Sequence, residues 1–135
     1  MRRINPPSLL PPPGGRFAHA VVPPAGAALA FVAGQVALDG EGSLVGPGDI
    51  VAQAGQCFTN LKLVVEELGS SAHDIVQIMM YAVAYQPEML ARIDAAGDAA
   101  FGGDWPVAAT TLVGVETLGH PDFLFEITAT VVVRA

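Results

Sequence analysis

The residues best suited to chemistry lie near the C-terminal end of the sequence, in two apolar, β-branched runs on either side of Leu118-Gly119-His120-Pro121. The second run carries a single carboxylate, Glu126, among residues that are otherwise apolar or threonine. A glutamate in such surroundings can act as a general acid or base. It can equally be a partly buried acid that is satisfied by backbone or threonine groups. Thr110 and Thr111, on the first run, become its neighbours if the two runs pair as a hairpin.

The other reactive residue types form no recognisable constellation. His19, His73 and His120 lie far apart, and no two of them have the spacing of metal ligands, so we expect no metal site. The single cysteine, Cys57, lies on the apolar side of a predicted helix, and nothing near it in sequence would stabilise a thiolate. We interpret it as a packed core residue. The sequence contains no P-loop, dinucleotide fingerprint, HExxH or CxxC motif.

The periodicity of the sequence predicts an α+β domain that positions these residues. Apolar residues alternate from Phe123 to Val133, which is the period of a strand, and Glu126 lies on the opposite, polar side. The predicted order is a strand at Phe17–Val22, a strand at Ala28–Gln35, a helix from Ile50 to Leu68, a strand at Ile75–Tyr85, a helix from Pro87 to Phe101, and a final pair of strands. We expect the two helices to cover one face of a mixed sheet.

Two details of this pattern carry further predictions. Asp49 can cap the first helix, whose buried stripe is predicted to include Cys57 and to leave Gln53 outside. The strand Ile75–Tyr85 is apolar on both faces, which predicts a central position with cover on both sides. Because the helices cover only one face, the simplest cover for the other is a second copy of the chain.

Length and composition predict one domain over residues 1–135, with residues 1–16 as an extended, proline- and glycine-rich arm. Hydrophobic residues make up 52% of the chain and charged residues 14%, which indicates an obligate oligomer. A net charge of −7 with only six lysines and arginines argues against nucleic acid as a partner. The apolar windows contain prolines and glycines, so we expect no membrane span. A lone cysteine and the lack of a signal-peptide pattern favour a cytoplasmic location.

Segments distributed along nearly the whole chain also carry a family resemblance. They are Gly15–Val21, Phe31–Val36, Ala54–Gly69, Asp74–Val76, Pro106–Val115 and Phe125–Val131. In this order and at these separations, they make the chain similar to the RidA family, also called the YjgF or endoribonuclease L-PSP family. The resemblance implies a chorismate-mutase-like fold and a homotrimer with a central barrel, helices outside and small-molecule clefts between subunits.

The resemblance also implies a chemistry. Deaminating members of the family hydrolyse reactive enamines and imines in these clefts to keto acids and ammonia, without a cofactor. In that chemistry an arginine holds the substrate carboxylate in a bidentate fork, and a glutamate positions or activates water. The family positions fall here on Glu126 for the glutamate, Thr110 for the arginine, and Phe17, Ala33, Gly34, Gln35, Asp94 and Leu112 for the rest of the cleft.

The substitution of threonine for the family arginine limits what can be carried over. A hydroxyl cannot replace a guanidinium fork, so we predict a ligand without a carboxylate, either neutral or cationic. The leading hypothesis is a trimer that binds such a metabolite and hydrolyses it with help from Glu126. A non-catalytic binding or regulatory trimer is the alternative. The ribonuclease activity that one family name suggests is disfavoured by the acidic chain.

Overall fold

The chain folds into two helices packed on a four-stranded mixed sheet, with a small two-stranded sheet beside them. The structure is a computed structural model that describes residues 1–134. The strands are β1 (Arg2–Ile4), β2 (Ala20–Val22), β3 (Ala28–Gln35), β4 (Ile75–Val83), β5 (Ala109–Val115) and β6 (Phe125–Val133), and the helices are α1 (Ile50–Glu67) and α2 (Leu90–Ala100). This arrangement confirms the predicted α+β class with two helices and a mixed sheet. Neither described helix is both long and apolar enough to cross a membrane.

The strand order in the main sheet is β3-β6-β4-β5. β6 is antiparallel to both of its neighbours, and β4 runs parallel to β5. The predicted central position of β4 is therefore correct. The hairpin considered for the last two strands is wrong, because β4 lies between them. A parallel pair needs a long crossover connection, which α2 provides between β4 and β5.

The two faces of the sheet differ in cover. On β6, Phe125, Ile127, Ala129 and Val131 are buried beneath the helices, as the alternation predicted. We call the opposite side the open face; its members include Leu29, Phe31, Met79, Tyr81, Val113, Glu126, Thr128 and Thr130, assigned by register. Phe31 is 81% exposed there, and Leu29 and Val113 are also exposed. The open face of a single chain thus leaves large apolar side chains uncovered.

The first helix confirms one prediction and corrects another. The Asp49 side chain accepts hydrogen bonds from the backbone of Val51 and Ala52, at 3.0 and 3.1 Å, so the predicted cap is present. Gln53, expected outside the apolar stripe, is completely buried. Its amide donates to the carbonyl oxygens of Gly46 and Asp122 and accepts from the backbone of Leu124 at 2.8 Å. These bonds satisfy the buried amide and tie α1 to the loop before β6.

The N-terminal region differs most from its predicted form. The strand expected at Phe17–Val22 is confined to β2, which pairs with β1 and not with β3. Within the arm predicted at residues 1–16, β1 is followed by a 3-10 turn at Pro13–Gly15. The Arg3 guanidinium donates to the backbone carbonyl of Val107 at 2.6 Å. The arm is therefore bound to the segment that leads into β5.

Candidate functional site

A cavity of about 300 Å³ lies on the helix side of the sheet, between α2, β5 and the N-terminal segment. Its lining consists of Pro13, Arg16, Phe17, Met80, Leu90, Asp94, Trp105, Thr110 and Leu112. Four residues predicted for the site, Phe17, Asp94, Thr110 and Leu112, therefore lie around one pocket. We call it the Trp105 pocket.

The fold explains how distant segments meet at this pocket. Thr110 and Leu112 pair with Ile78 and Met80 across the parallel β4–β5 ladder, so both point to the helix side. Gly14 and Gly15 have positive φ angles of 62° and 64°, which turn the N-terminal segment back toward α2. The backbone of the following residues is held by a 3.0 Å hydrogen bond from Ala18 to the carbonyl of Ala108.

Arg16 is the principal cation of the pocket, and it is already engaged. Its Nη1 lies 2.9 and 3.1 Å from the two carboxylate oxygens of Asp98, and its Nε lies 3.4 Å from Asp94 Oδ2. Its guanidinium carbon lies 4.4 Å from the centre of the Trp105 ring, a cation–π distance. The Trp105 indole also donates to the Arg16 carbonyl at 2.9 Å. One cation is thus shared by two acids.

The pKa of Asp94 reflects the sharing of one guanidinium by two carboxylates. Burial raises the pKa of Asp94 above its ordinary value; Arg16 lowers this pKa and Asp98 raises it, and the net shift is upward. The single guanidinium therefore does not compensate fully for desolvation and for the second carboxylate. The Thr110 hydroxyl, at the position of the family arginine, donates to the carbonyl of Ala108 at 3.2 Å.

The other predicted residues form a second group around Glu126. A side chain at Gly34 would place its Cβ 2.6 Å from Glu126 Oε2, so the carboxylate lies directly against the Gly34 backbone. The Gln35 amide folds back and donates to the Ala33 carbonyl at 3.0 Å. The register of β3 against β6 shifts between Val32 and Gln35, and this irregularity contains the contact with Glu126.

Cys57 behaves as a packed thiol. Burial in the core, and to a lesser degree the charge of Glu126, raises the pKa of Cys57 to about 12. Its sulfur donates to the Phe125 carbonyl at 3.4 Å. A thiol protonated at neutral pH is a poor nucleophile, which agrees with the core role predicted for it.

Thr110 and Glu126 lie on opposite faces of the sheet. Thr110 pairs with Ile78 of β4, and Glu126 pairs with Tyr81 of the same strand. Residues three apart on a strand point to opposite sides, and no register shift intervenes between these two. The expected proximity of Thr110 and Glu126 within one chain is therefore wrong. Phe17, Asp94, Thr110 and Leu112 line the Trp105 pocket, whereas Glu126 lies on the open face. Gln35 pairs with Ile127 beyond the register shift and so belongs by register to the helix side.

Arg16 and Trp105 line the pocket but were not among the predicted site residues. The sequence does contain a pattern that indicates a cation near α2. Asp94 and Asp98 lie four residues apart and therefore share one face of that helix, where a nearby cation reduces their repulsion. The histidines have other partners; His73 lies 3.0 Å from Asp104, and His19 lies 3.0 Å from the Leu10 carbonyl. Within residues 1–134, no group of three or more His, Cys, Asp or Glu side chains is arranged to hold a metal ion.

The chain is thus of the α+β class, with two helices on one face of a mixed sheet and the predicted residues Thr110 and Glu126 on opposite faces of that sheet. The model of the endoribonuclease L-PSP family matches residues 9–133, and the chain belongs to that family.

Two solved structures and one sequence relative agree with this family assignment. A Rid family protein of unknown function, YyfB from Yersinia pestis, is 38% identical, with 97% of each chain covered and a TM-score of 0.86. The YjgF gene product of E. coli is 28% identical, with 89% of this chain and 90% of that chain covered and a TM-score of 0.67. A RutC family protein of Pyrococcus abyssi is 39% identical over 51 residues, which span 38% of this chain and 40% of that relative.

Proposed function

We propose that the chain acts as a RidA-like homotrimer whose clefts between subunits bind a small metabolite that lacks a carboxylate, and that Glu126 assists hydrolysis of an enamine or imine there. The observation that carries the proposal is the separation of Thr110 from Glu126. Thr110 and Glu126 pair with Ile78 and Tyr81, on opposite faces of one sheet. A cleft that uses both groups needs one from each of two chains.

The open face supports the assembly. Phe31 is 81% exposed, and Leu29 and Val113 are exposed beside it. Several large apolar side chains on one sheet face are typical of a surface that another chain covers. Burial of this face in a barrel of three sheets would bring the Glu126 of one subunit toward the pocket of the next.

The ligand class follows from the pocket's charges. Thr110 offers a hydroxyl where the family arginine offers a bidentate cation, and the hydroxyl proton is already directed at the Ala108 carbonyl. Arg16 does not replace that arginine, because Asp94 and Asp98 occupy it. A carboxylate ligand would therefore meet uncompensated acids.

The proposed reaction is the addition of water to a C=N bond. Glu126 accepts a proton from water as the oxygen attacks the carbon, and that proton is then passed to nitrogen. As the carbinolamine collapses, Glu126 takes the hydroxyl proton and passes it to the nitrogen. The C–N bond breaks, and a carbonyl compound and ammonia leave. The reaction involves no change in oxidation state and consumes only water.

The test compares two sets of imines in an assay for the carbonyl product. An amine oxidase supplies imines without a carboxylate, and an amino-acid oxidase supplies imines with one. We expect the native protein to accelerate product formation from the first set, with loss of the effect in Glu126→Gln. Robust, Glu126-dependent acceleration with the amino-acid imines would overturn the proposed ligand class.

The absence of the family arginine also favours a second function, a non-catalytic binding or regulatory trimer. In that case no imine set is turned over faster than in buffer. Glu126→Gln would then change ligand affinity or stability and leave the solution rates untouched. The same assay, combined with a binding measurement, therefore separates the two functions.

A further inference from the structure

Apart from one N–H of Arg16 Nη2, the side-chain polar atoms of the Trp105 pocket that remain available to a ligand are hydrogen-bond acceptors. Asp94 Oδ2 contacts Arg16, but within residues 1–134 its Oδ1 accepts no hydrogen bond. The Thr110 hydroxyl gives its proton to the Ala108 carbonyl and keeps its lone pairs. Both side chains line the cavity.

The donors of Arg16 are mostly consumed. Nη1 is shared between both oxygens of Asp98, Nε faces Asp94, and Nη2 donates to the Asp94 carbonyl at 3.4 Å. One face of the guanidinium is covered by the Trp105 ring. The remainder of the wall is apolar and aromatic, contributed by Phe17, Met80, Leu90 and Leu112.

We infer that the Trp105 pocket recognises an apolar or aromatic body with an N–H donating head, such as an amide, amine or amidine, and that Asp98 is the specificity-determining residue because it keeps Arg16 from binding acids. This inference concerns the same site and rests on the proposed function. Asp98 does not touch the ligand. It acts by occupying the cation that a carboxylate or other anion would otherwise use.

Benzamidinium, benzamide and benzoate form a suitable set of probes. They share a ring of the same size and differ only in the head group, which is a cationic donor, a neutral donor and an acceptor, respectively. Trp105 is the only tryptophan of the chain and lines the cavity, so its fluorescence reports occupancy. We expect the two donors to bind the native protein at least about tenfold more tightly than benzoate does.

Asp98→Asn tests the role assigned to Asp98. The side chain is 47% exposed, so the substitution removes a charge without leaving a buried cavity. The asparagine oxygen still accepts from Nη1, but the charge of Arg16 is then opposed by Asp94 alone. Benzoate affinity should therefore rise about tenfold, and its disadvantage should disappear. Glu66→Gln is the matched control. It removes one acid from an exposed ion pair with Lys62, and Glu66 lies outside the pocket lining, so all three affinities should stay unchanged.

Three results overturn the inference. They are benzoate binding as tightly as the donors to the native protein, absence of binding by all three probes, and equal behaviour of Asp98→Asn and Glu66→Gln. The comparison in the native protein needs no variant, so poor folding of Asp98→Asn does not rescue the idea. Because the readout is binding and not turnover, donor selectivity can hold while the proposed hydrolysis fails, and the reverse outcome is equally visible.

Discussion

Phe31 provides a direct test of whether the open face is covered by other copies of the chain. Its side chain projects from β3 and is 81% exposed, although it is one of the largest apolar groups in the protein. It belongs to no part of the buried core. Phe31→Ser should therefore leave the single chain folded and weaken the association between chains.

The expected magnitude follows from the exposed area. A phenylalanine side chain offers about 150–250 Å² for burial, so the uncovered part at Phe31 is roughly 120–200 Å². At about 25 cal/mol per Å², covering it contributes about 3–5 kcal/mol for each subunit. Loss of even half of this changes an association constant by about tenfold or more per contact.

Light scattering coupled to gel filtration, with a dilution series in the analytical ultracentrifuge, measures the effect. We expect the native protein to have three times the 13.9 kDa mass of the chain, and Phe31→Ser to dissociate at much higher concentration. Leu63→Ser is the matched control. Leu63 is 59% exposed on α1, outside the open face, and its loss should leave the mass unchanged.

Two outcomes would refute the reasoning. A native monomer at micromolar concentration shows that the open face is not an assembly surface. Equal dissociation of the Phe31 and Leu63 variants shows that general loss of surface apolarity, not this face, is responsible. Far-UV circular dichroism of both variants shows whether the monomer fold is retained.

Three further substitutions test the geometry. Gly34→Ala places a Cβ 2.6 Å from the Glu126 carboxylate, so it should abolish every Glu126-dependent activity while urea denaturation shows little change in stability. Gln53→Met keeps the shape but removes the buried amide bonds, and should lower the unfolding free energy by about 2–4 kcal/mol. Gln56→Met loses only one side-chain bond, to Asn60, and should cost about 0.5–1.5 kcal/mol. Although desolvation raises the pKa of Asp74, hydrogen bonds from Arg134 and Ser71 hold that pKa below its ordinary value. The stabilisation that the Asp74 carboxylate provides is therefore present above about pH 4 and is lost as the pH falls through its folded-state pKa. At neutral pH, Asp74→Asn should be less stable than the native protein by about 1–2 kcal/mol, and this difference in unfolding free energy should shrink in acid.

Local patterns in the sequence predicted the local elements well. The Asp49 cap and the alternation along β6 depend on residues only a few positions apart, and both are present. The choice of strand partners depends on the whole chain. Nothing near β5 or β6 shows that β4 lies between them, and the connection through α2 makes this arrangement possible. The pairing of β2 with β1 escaped prediction for the same reason.

The candidate site likewise contains residues that the sequence identified and residues that only long-range contacts reveal. The family resemblance collected Phe17, Asp94, Thr110 and Leu112, and the structure brings them around one cavity. Arg16 was missed because Asp98 lies 82 residues and Trp105 lies 89 residues further along the chain. Gln53 was misplaced because a polar residue on a helix is normally solvated, and its partners are a glycine carbonyl and a distant loop.

The docking of the N-terminal segment has a consequence for local stability. One wall of the Trp105 pocket depends on the bonds of Arg16 to Asp98 and of Trp105 to the Arg16 carbonyl, while the pairing of the four-stranded sheet does not. A partial opening that releases residues 13–17 therefore removes the pocket before the protein unfolds. By linkage, a ligand in the pocket stabilises the closed segment and slows amide hydrogen exchange there.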